Sequence, residues 1–203
     1  MRLTVTATPD VCGPIARVGG TLIAVAFSVL AGAGPAVQNQ TGPEKEKPTM
    51  NLQLTSSAFV EGKEIPGQYT CQGKDVSPPL KWSGVPTGAK SLVLIADDPD
   101  APVGTWVHWV LFDLPPTTAE LNEDVPKTQH LPGGAKQGLN DFRRLGYGGP
   151  CPPPGKPHRY FFKLYALDAL LDLKPGVTKK DIETAMKGRV LAEGQLMGTY
   201  QRT

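Results

Sequence analysis

The chain is 203 residues long, carries 21 Lys+Arg against 19 Asp+Glu for a net charge of +2, and is 39% hydrophobic. These numbers fit one domain with an extension. They exclude a disordered or polytopic membrane chain, and the near-balance of charge excludes a nucleic-acid footprint. The 23 glycines and 21 prolines, well above ordinary usage, point to short strands and many turns.

Arg2 and Arg17 flank a leading stretch, Thr21 to Ala33 is apolar, and Ala31-Gly32-Ala33 offers small residues for cleavage. Residues 1–33 therefore read as a signal peptide, and the protein as exported to a periplasm or the extracellular space. The apolar run is too short for a comfortable bilayer span, so no stable membrane insertion is expected. A second reading starts translation at Met50 and leaves the protein in the cytoplasm. Residues 34–49, with Glu44-Lys45-Glu46-Lys47, read as a disordered linker, and 50–203 as one domain. Cys12 leaves with the signal peptide, so the mature chain keeps Cys71 and Cys151. A disulfide between them is allowed in an oxidising compartment, and one buried thiol plus one loop thiol is the other reading.

From Met50 the segments are short and β-like. Asn51 to Phe59 alternates, Ser91 to Ala96 is continuously apolar, Trp106 to Leu114 is aromatic and β-branched, and Arg159 to Leu167 is a further strand. Thr178 followed by Asp181 resembles a capping box opening a helix through Ile182, Ala185 and Met186 to Gly188. A second short helix is expected over Val190 to Met197. Helices that follow all the strands disfavour a parallel βαβ sheet. The fold expected is mainly β, an antiparallel β-sandwich with short peripheral C-terminal helices.

Two stretches carry the chemistry. One runs Asp97-Asp98-Pro99-Asp100-Ala101-Pro102 and on to Trp106-Val107-His108-Trp109; the other runs Tyr147 to Gly155 and on to His158-Arg159-Tyr160. Each sets a proline-stiffened loop beside a strand bearing a histidine, which reads as two walls of one anion-accepting pocket. Trp106 and His108 project to the same face of their strand, as an aromatic wall with a donor, or as core residues. His158 stands at a strand end, as a ligand donor or a loop-edge hydrogen bonder. Asp98 and Asp100 are open to acid/base, metal, or turn roles, and Asp98 also to holding one nitrogen of a pocket histidine. The three histidines (His108, His130, His158) meet no standard zinc spacing, and no cofactor fingerprint is present. Cys151 with His158 forms a conceivable nucleophile pair, but without a helix N-terminus to activate the thiol.

These residues, in this order, resemble the phosphatidylethanolamine-binding protein family in its bacterial Raf-kinase-inhibitor-like branch. The likeness is carried by Tyr69-Thr70-Cys71, Ser77-Pro78-Pro79-Leu80, Trp82, Asp98 to Pro102, His108, Tyr147 to Gly155, His158-Arg159-Tyr160 and Leu196 to Arg202. It implies a β-sandwich with a small cavity for phosphate-like and carboxylate anions, phospholipid headgroups among them, and a binding or modulating role without catalysis. By motif, the implied ligand residues are Asp98, Trp106, His108, His158 and Tyr160, with loop backbone N–H groups near Gly149 and Cys151. A cis Ala101–Pro102 bond is also implied. Where animal members have a His pair this chain has Val107-His108, and Cys151 stands at the place of a loop glycine.

The function expected is non-enzymatic binding of a small anion such as phosphate, acetate or phosphoethanolamine. The alternatives are a modulator of a protein partner such as a kinase or protease, and a hydrolase using His158, Cys151 or Asp98.

Overall fold

The computed structural model describes residues 50–202. The expected signal peptide (1–33) and linker (34–49) lie outside them. The strands in chain order are β1 (Met50–Asn51), β2 (Gln53–Thr55), β3 (Leu80–Ser83), β4 (Ser91–Asp98), β5 (Trp106–Leu114), β6 (Glu120–Leu121), β7 (Lys136–Gln137) and β8 (His158–Leu167). One helix, α1 (Lys179–Ala185), precedes the last strand, β9 (Val190–Tyr200). A six-stranded sheet has the order β1-β9-β8-β4-β5-β7, and a three-stranded sheet the order β2-β3-β6. All pairings are antiparallel except β1 with β9. This is the expected sandwich.

Burial follows the residue pattern. β4 is buried at all eight positions, because its Leu92-Val93-Leu94-Ile95 run faces packed layers on both sides. β8 and β9 alternate more openly. One core, with Trp82, Leu94, Trp109, Leu111, Phe162 and Leu196, fills the space between the sheets. A smaller one, with Val93, Ile95, Val107, Val110, Phe112, Ile182 and Met186, lies beneath α1 on the other face of the large sheet. The capping box forms as expected: Thr178 accepts from the Asp181 backbone and Asp181 from the Thr178 backbone.

Two expectations are corrected. Val190 to Met197 is not helical but belongs to β9, antiparallel to β8 over its whole length. Gly194 and Gly198 explain this: a Cβ at the first would sit 2.2 Å from the Leu52 carbonyl oxygen, and at the second 2.5 Å from Ile65. The residues are chosen for strand crossings, not for a helix face. The Ala101–Pro102 bond is trans, and the described residues contain no cis peptide. The loop turns by other means, with Asp100 N donating to Asp98 Oδ1 (2.8 Å) and Gly104 N to the Ala101 carbonyl (3.0 Å).

β5 carries an irregularity that matters for the site. Ala96 pairs with Trp109 but Asp97 pairs with Val107, so His108 is an extra residue, a β-bulge, against β4. Bulges re-aim side chains where ligands are handled.

Candidate functional site

The two proline-rich stretches meet around a cavity of about 220 Å³. Asp98, Ala101, Pro102, Val103, Trp106 and His108 line it from the first stretch, and Cys151, Pro152, Pro153 and His158 from the second. The strand pairing makes this unavoidable: Asp98 sits opposite Trp106 on β5, while β8 runs along the other edge of β4. A larger cavity of about 460 Å³, bordered by Gln53, Lys163, Tyr165, Glu193 and Gln195, contains no histidine, and its one lysine is held by Asp97.

Beneath the smaller cavity, His158 Nδ1–H donates to Asp98 Oδ2 at 2.8 Å. The Asp98 side chain is 4% exposed and that of His158 12%. The bond places the His158 proton on Nδ1 and leaves Nε2 for other partners. His108 is fixed similarly, with its Nδ1–H given to the Gly148 carbonyl at 2.6 Å while Gly148 N returns a bond to the His108 carbonyl. Burial pushes the His108 imidazole below its ordinary range, against the smaller opposing pull of the Gly148 carbonyl and Asp98.

Tyr160 stands behind His108, its ring 5.2 Å away and edge-on, and does not line the cavity. Its hydroxyl is buried without a hydrogen-bond partner, and burial, with the nearby Asp98 charge second, holds its ionisation far above the ordinary range. Trp106 Nε1 is likewise buried and unpartnered. An orphaned buried donor costs about 1–3 kcal/mol, so the Trp106 N–H, which unlike the Tyr160 hydroxyl belongs to a cavity-lining residue, calls for an acceptor there.

The acidic run is divided among three sets of partners. Asp97, turned to the opposite face, holds Lys163 (2.9 Å) and Lys179 (2.6 Å). Asp98 takes His158, and Asp100 takes the Arg159 guanidinium through two bonds of 2.8 and 2.7 Å. The Arg159 fork lowers the Asp100 carboxyl to about 2. Asp100 thus staples the first loop to β8 and stands outside the cavity.

Gly149 is corrected as a ligand residue. Its N–H donates to Asp75 Oδ1 at 2.6 Å, and a Cβ there would lie 2.3 Å from the Tyr69 carbonyl oxygen. It closes the packing behind the loop. Cys151 does line the cavity, and its sulfur is bonded to Cys71 across 80 residues of chain, with a Cα–Cα distance of 5.4 Å. That bond removes Cys151 as a free nucleophile. His130 does not line the cavity, and no three His, Cys, Asp or Glu among the described residues group to hold a metal ion.

Sequence reading missed Phe142. Its ring meets Trp106 and His108 edge-on, each at 5.4 Å, and fills a notch that the missing Cβ of Gly148 leaves open. The turn beneath it is set by Asn140, which accepts from Arg144 N (3.1 Å) and donates to the Gly146 carbonyl (2.9 Å). An aromatic residue in a polar turn was the only available signal.

Residues 55–201 match the family model described as phosphatidylethanolamine-binding protein. A UPF0098 protein of Methanothermobacter thermautotrophicus is 55% identical over 151 residues, covering 74% of this chain and 99% of that one. Among solved structures, the phosphatidylethanolamine-binding protein homologue CT736 of Chlamydia trachomatis is 45% identical with a TM-score of 0.69, covering 76% of this chain and 100% of its own. Escherichia coli YbcL, described as a new member of the mammalian family, is 34% identical with a TM-score of 0.71 over 75% and 99% of the two chains. With the match spanning both sheets and both walls of the cavity, the chain belongs to the phosphatidylethanolamine-binding protein family.

Proposed function

We propose that the cavity binds a small anion, a phosphate or carboxylate group, without transforming it. The observation that carries this reading is the Asp98–His158 pair beneath a space also bordered by His108 and the unpartnered Trp106 indole. The Trp106 indole N–H suits an oxyanion and the Nε2 atoms of His108 and His158 can accept from a protonated phosphate or carboxyl oxygen, while Pro102, Val103, Phe142, Pro152 and Pro153 give the rim an apolar character. The apolar rim favours a headgroup-bearing or otherwise amphipathic ligand over a bare ion. No hydroxyl or free thiol borders the cavity among the described residues, which supports binding over covalent catalysis. The Cys71–Cys151 bond favours an oxidising compartment and hence the exported reading over a start at Met50.

Isothermal titration of the protein with phosphate, acetate and phosphoethanolamine, beside His108→Ala, tests this. Saturable binding lost in the variant is the expected result. Binding that the variant keeps unchanged would remove the site assignment. Absence of any binding would favour the second reading, a modulator of a protein partner that docks through the exposed Pro153 to Pro157 edge of the cavity.

A further inference from the structure

We infer that Cys151 is a thiol-exchange site addressed by small anionic thiols, a role that rests on the anion-binding reading above. Its sulfur is shared between two environments. Cys71 lies in an exposed turn, whereas Cys151 is half-buried and borders the same space as His158 and His108. A thiol carrying a carboxylate or phosphate, seated in that 220 Å³ cavity, is held beside the Cys151 end of the bond. Confinement of this sort raises reaction rates by orders of magnitude without any need for an activated sulfur.

The step balances without a further oxidant or reductant. The electron pair of the incoming thiolate forms a new S–S bond to Cys151 Sγ, and the Cys71–Cys151 bond breaks. Cys71 then leaves as a thiolate into water, where it takes up a proton. Reverse attack by Cys71 expels the small thiol and restores the starting bond.

The cavity wall outlasts the exchange, because the loop has other fastenings. Cys71 N donates to the Pro150 carbonyl (3.1 Å), Gly149 N to Asp75 (2.6 Å), and Gln201 Nε2 to the Gly155 carbonyl (2.6 Å). The mixed disulfide therefore occupies an intact cavity and excludes a free anion from it. Occupancy then follows the concentration of the small thiol as well as that of the ligand.

The full chain with Cys71→Ser leaves Cys151 unpaired. Its alkylation by iodoacetate and by the neutral isostere iodoacetamide is followed by peptide mapping, which separates Cys151 from Cys12. The expected result is an iodoacetate-to-iodoacetamide rate ratio at Cys151 at least about tenfold above that of the same cysteine in urea. Saturating phosphate is expected to abolish the difference. Equal ratios in native protein and urea, or no protection by phosphate, overturn the inference. As a second measurement, should that variant not fold, wild-type protein is treated with mercaptoacetate and quenched in acid. An adduct on Cys151 supports the site, and an adduct on Cys71 overturns it. Phosphate binding by the wild type without directed alkylation defeats this inference alone, and no phosphate binding at all defeats the underlying reading as well.

Discussion

Asp98 and His158, sixty positions apart, are joined by a 2.8 Å bond in which both carboxylate oxygens of Asp98 are already accepting: Oδ2 from the imidazole and Oδ1 from Asp100 N. An amide at this position has one oxygen to offer two donors. Asp98→Asn is expected to keep the turn to Asp100 and to point its NH₂ at His158. The proton then moves from Nδ1 to Nε2. Nitrogen NMR of the imidazole reads this directly, and an unchanged Nδ1–H tautomer would refute it. Asp98→Ala is expected to weaken phosphate binding at least tenfold, about 1.4 kcal/mol.

The titration of His108 sets a pH dependence of stability. Burial lowers its folded-state value below the ordinary 6.5, so the unfolded chain takes up a proton first as pH falls. Stability is therefore full above about 6.5 and declines below it, by at most about 1.4 kcal/mol per pH unit, until the folded imidazole also protonates. Asp100 acts further down: its contribution is present above its ordinary 3.8 and is lost as pH falls from there through about 2. Denaturant melts at several pH values should show the upper decline, and His108→Gln should flatten it.

Two buried tyrosines make opposite predictions. Tyr147 donates its hydroxyl to the Tyr69 carbonyl at 2.8 Å, whereas the Tyr160 hydroxyl has no partner. Tyr147→Phe is expected to cost about 1 kcal/mol, and Tyr160→Phe to be neutral or stabilising by up to about that amount. Thermal melts without ligand distinguish them. A large loss from Tyr160→Phe would show that its hydroxyl is bonded after all.

Gly149→Ala separates packing from ligand contact. With the Tyr69 carbonyl oxygen 2.3 Å from the new methyl, the loop has to move, and a loss of at least about 2 kcal/mol is expected. Near-native stability together with weaker phosphate binding would return Gly149 to the site.

Much of this was legible in the residues. β5 begins at Trp106 and ends at Leu114 where its aromatic and β-branched run does, and α1 starts after Thr178 because its cap is local. Asp98 and His158 stand beside proline-rich loops and His108 shares a strand face with Trp106, and the cavity brings the three together. What failed depended on partners far away in sequence. β9 was misread because Gly194 and Gly198 answer to Leu52 and Ile65, and Gly149 was misjudged because Asp75 claims its N–H. Phe142 belongs to a turn whose purpose appears only once Trp106 and His108 stand beside it.

The bulge at His108 has a consequence for parity. Side chains along a strand alternate faces, so a strand in unbroken register would keep adjacent His108 and Trp109 on opposite sides of the sheet. The extra residue lets Trp109 enter the core between the sheets while His108 borders the cavity and Asp98 still faces Trp106. Deleting His108 would close the bulge and leave Asp97 opposite Val107 and Asp98 opposite Trp106, with Trp109 still in the core. What the deletion would remove is the imidazole on the cavity wall, the one side chain that the pairing does not use. The cavity thus owes part of its wall to a residue that the sheet itself can do without.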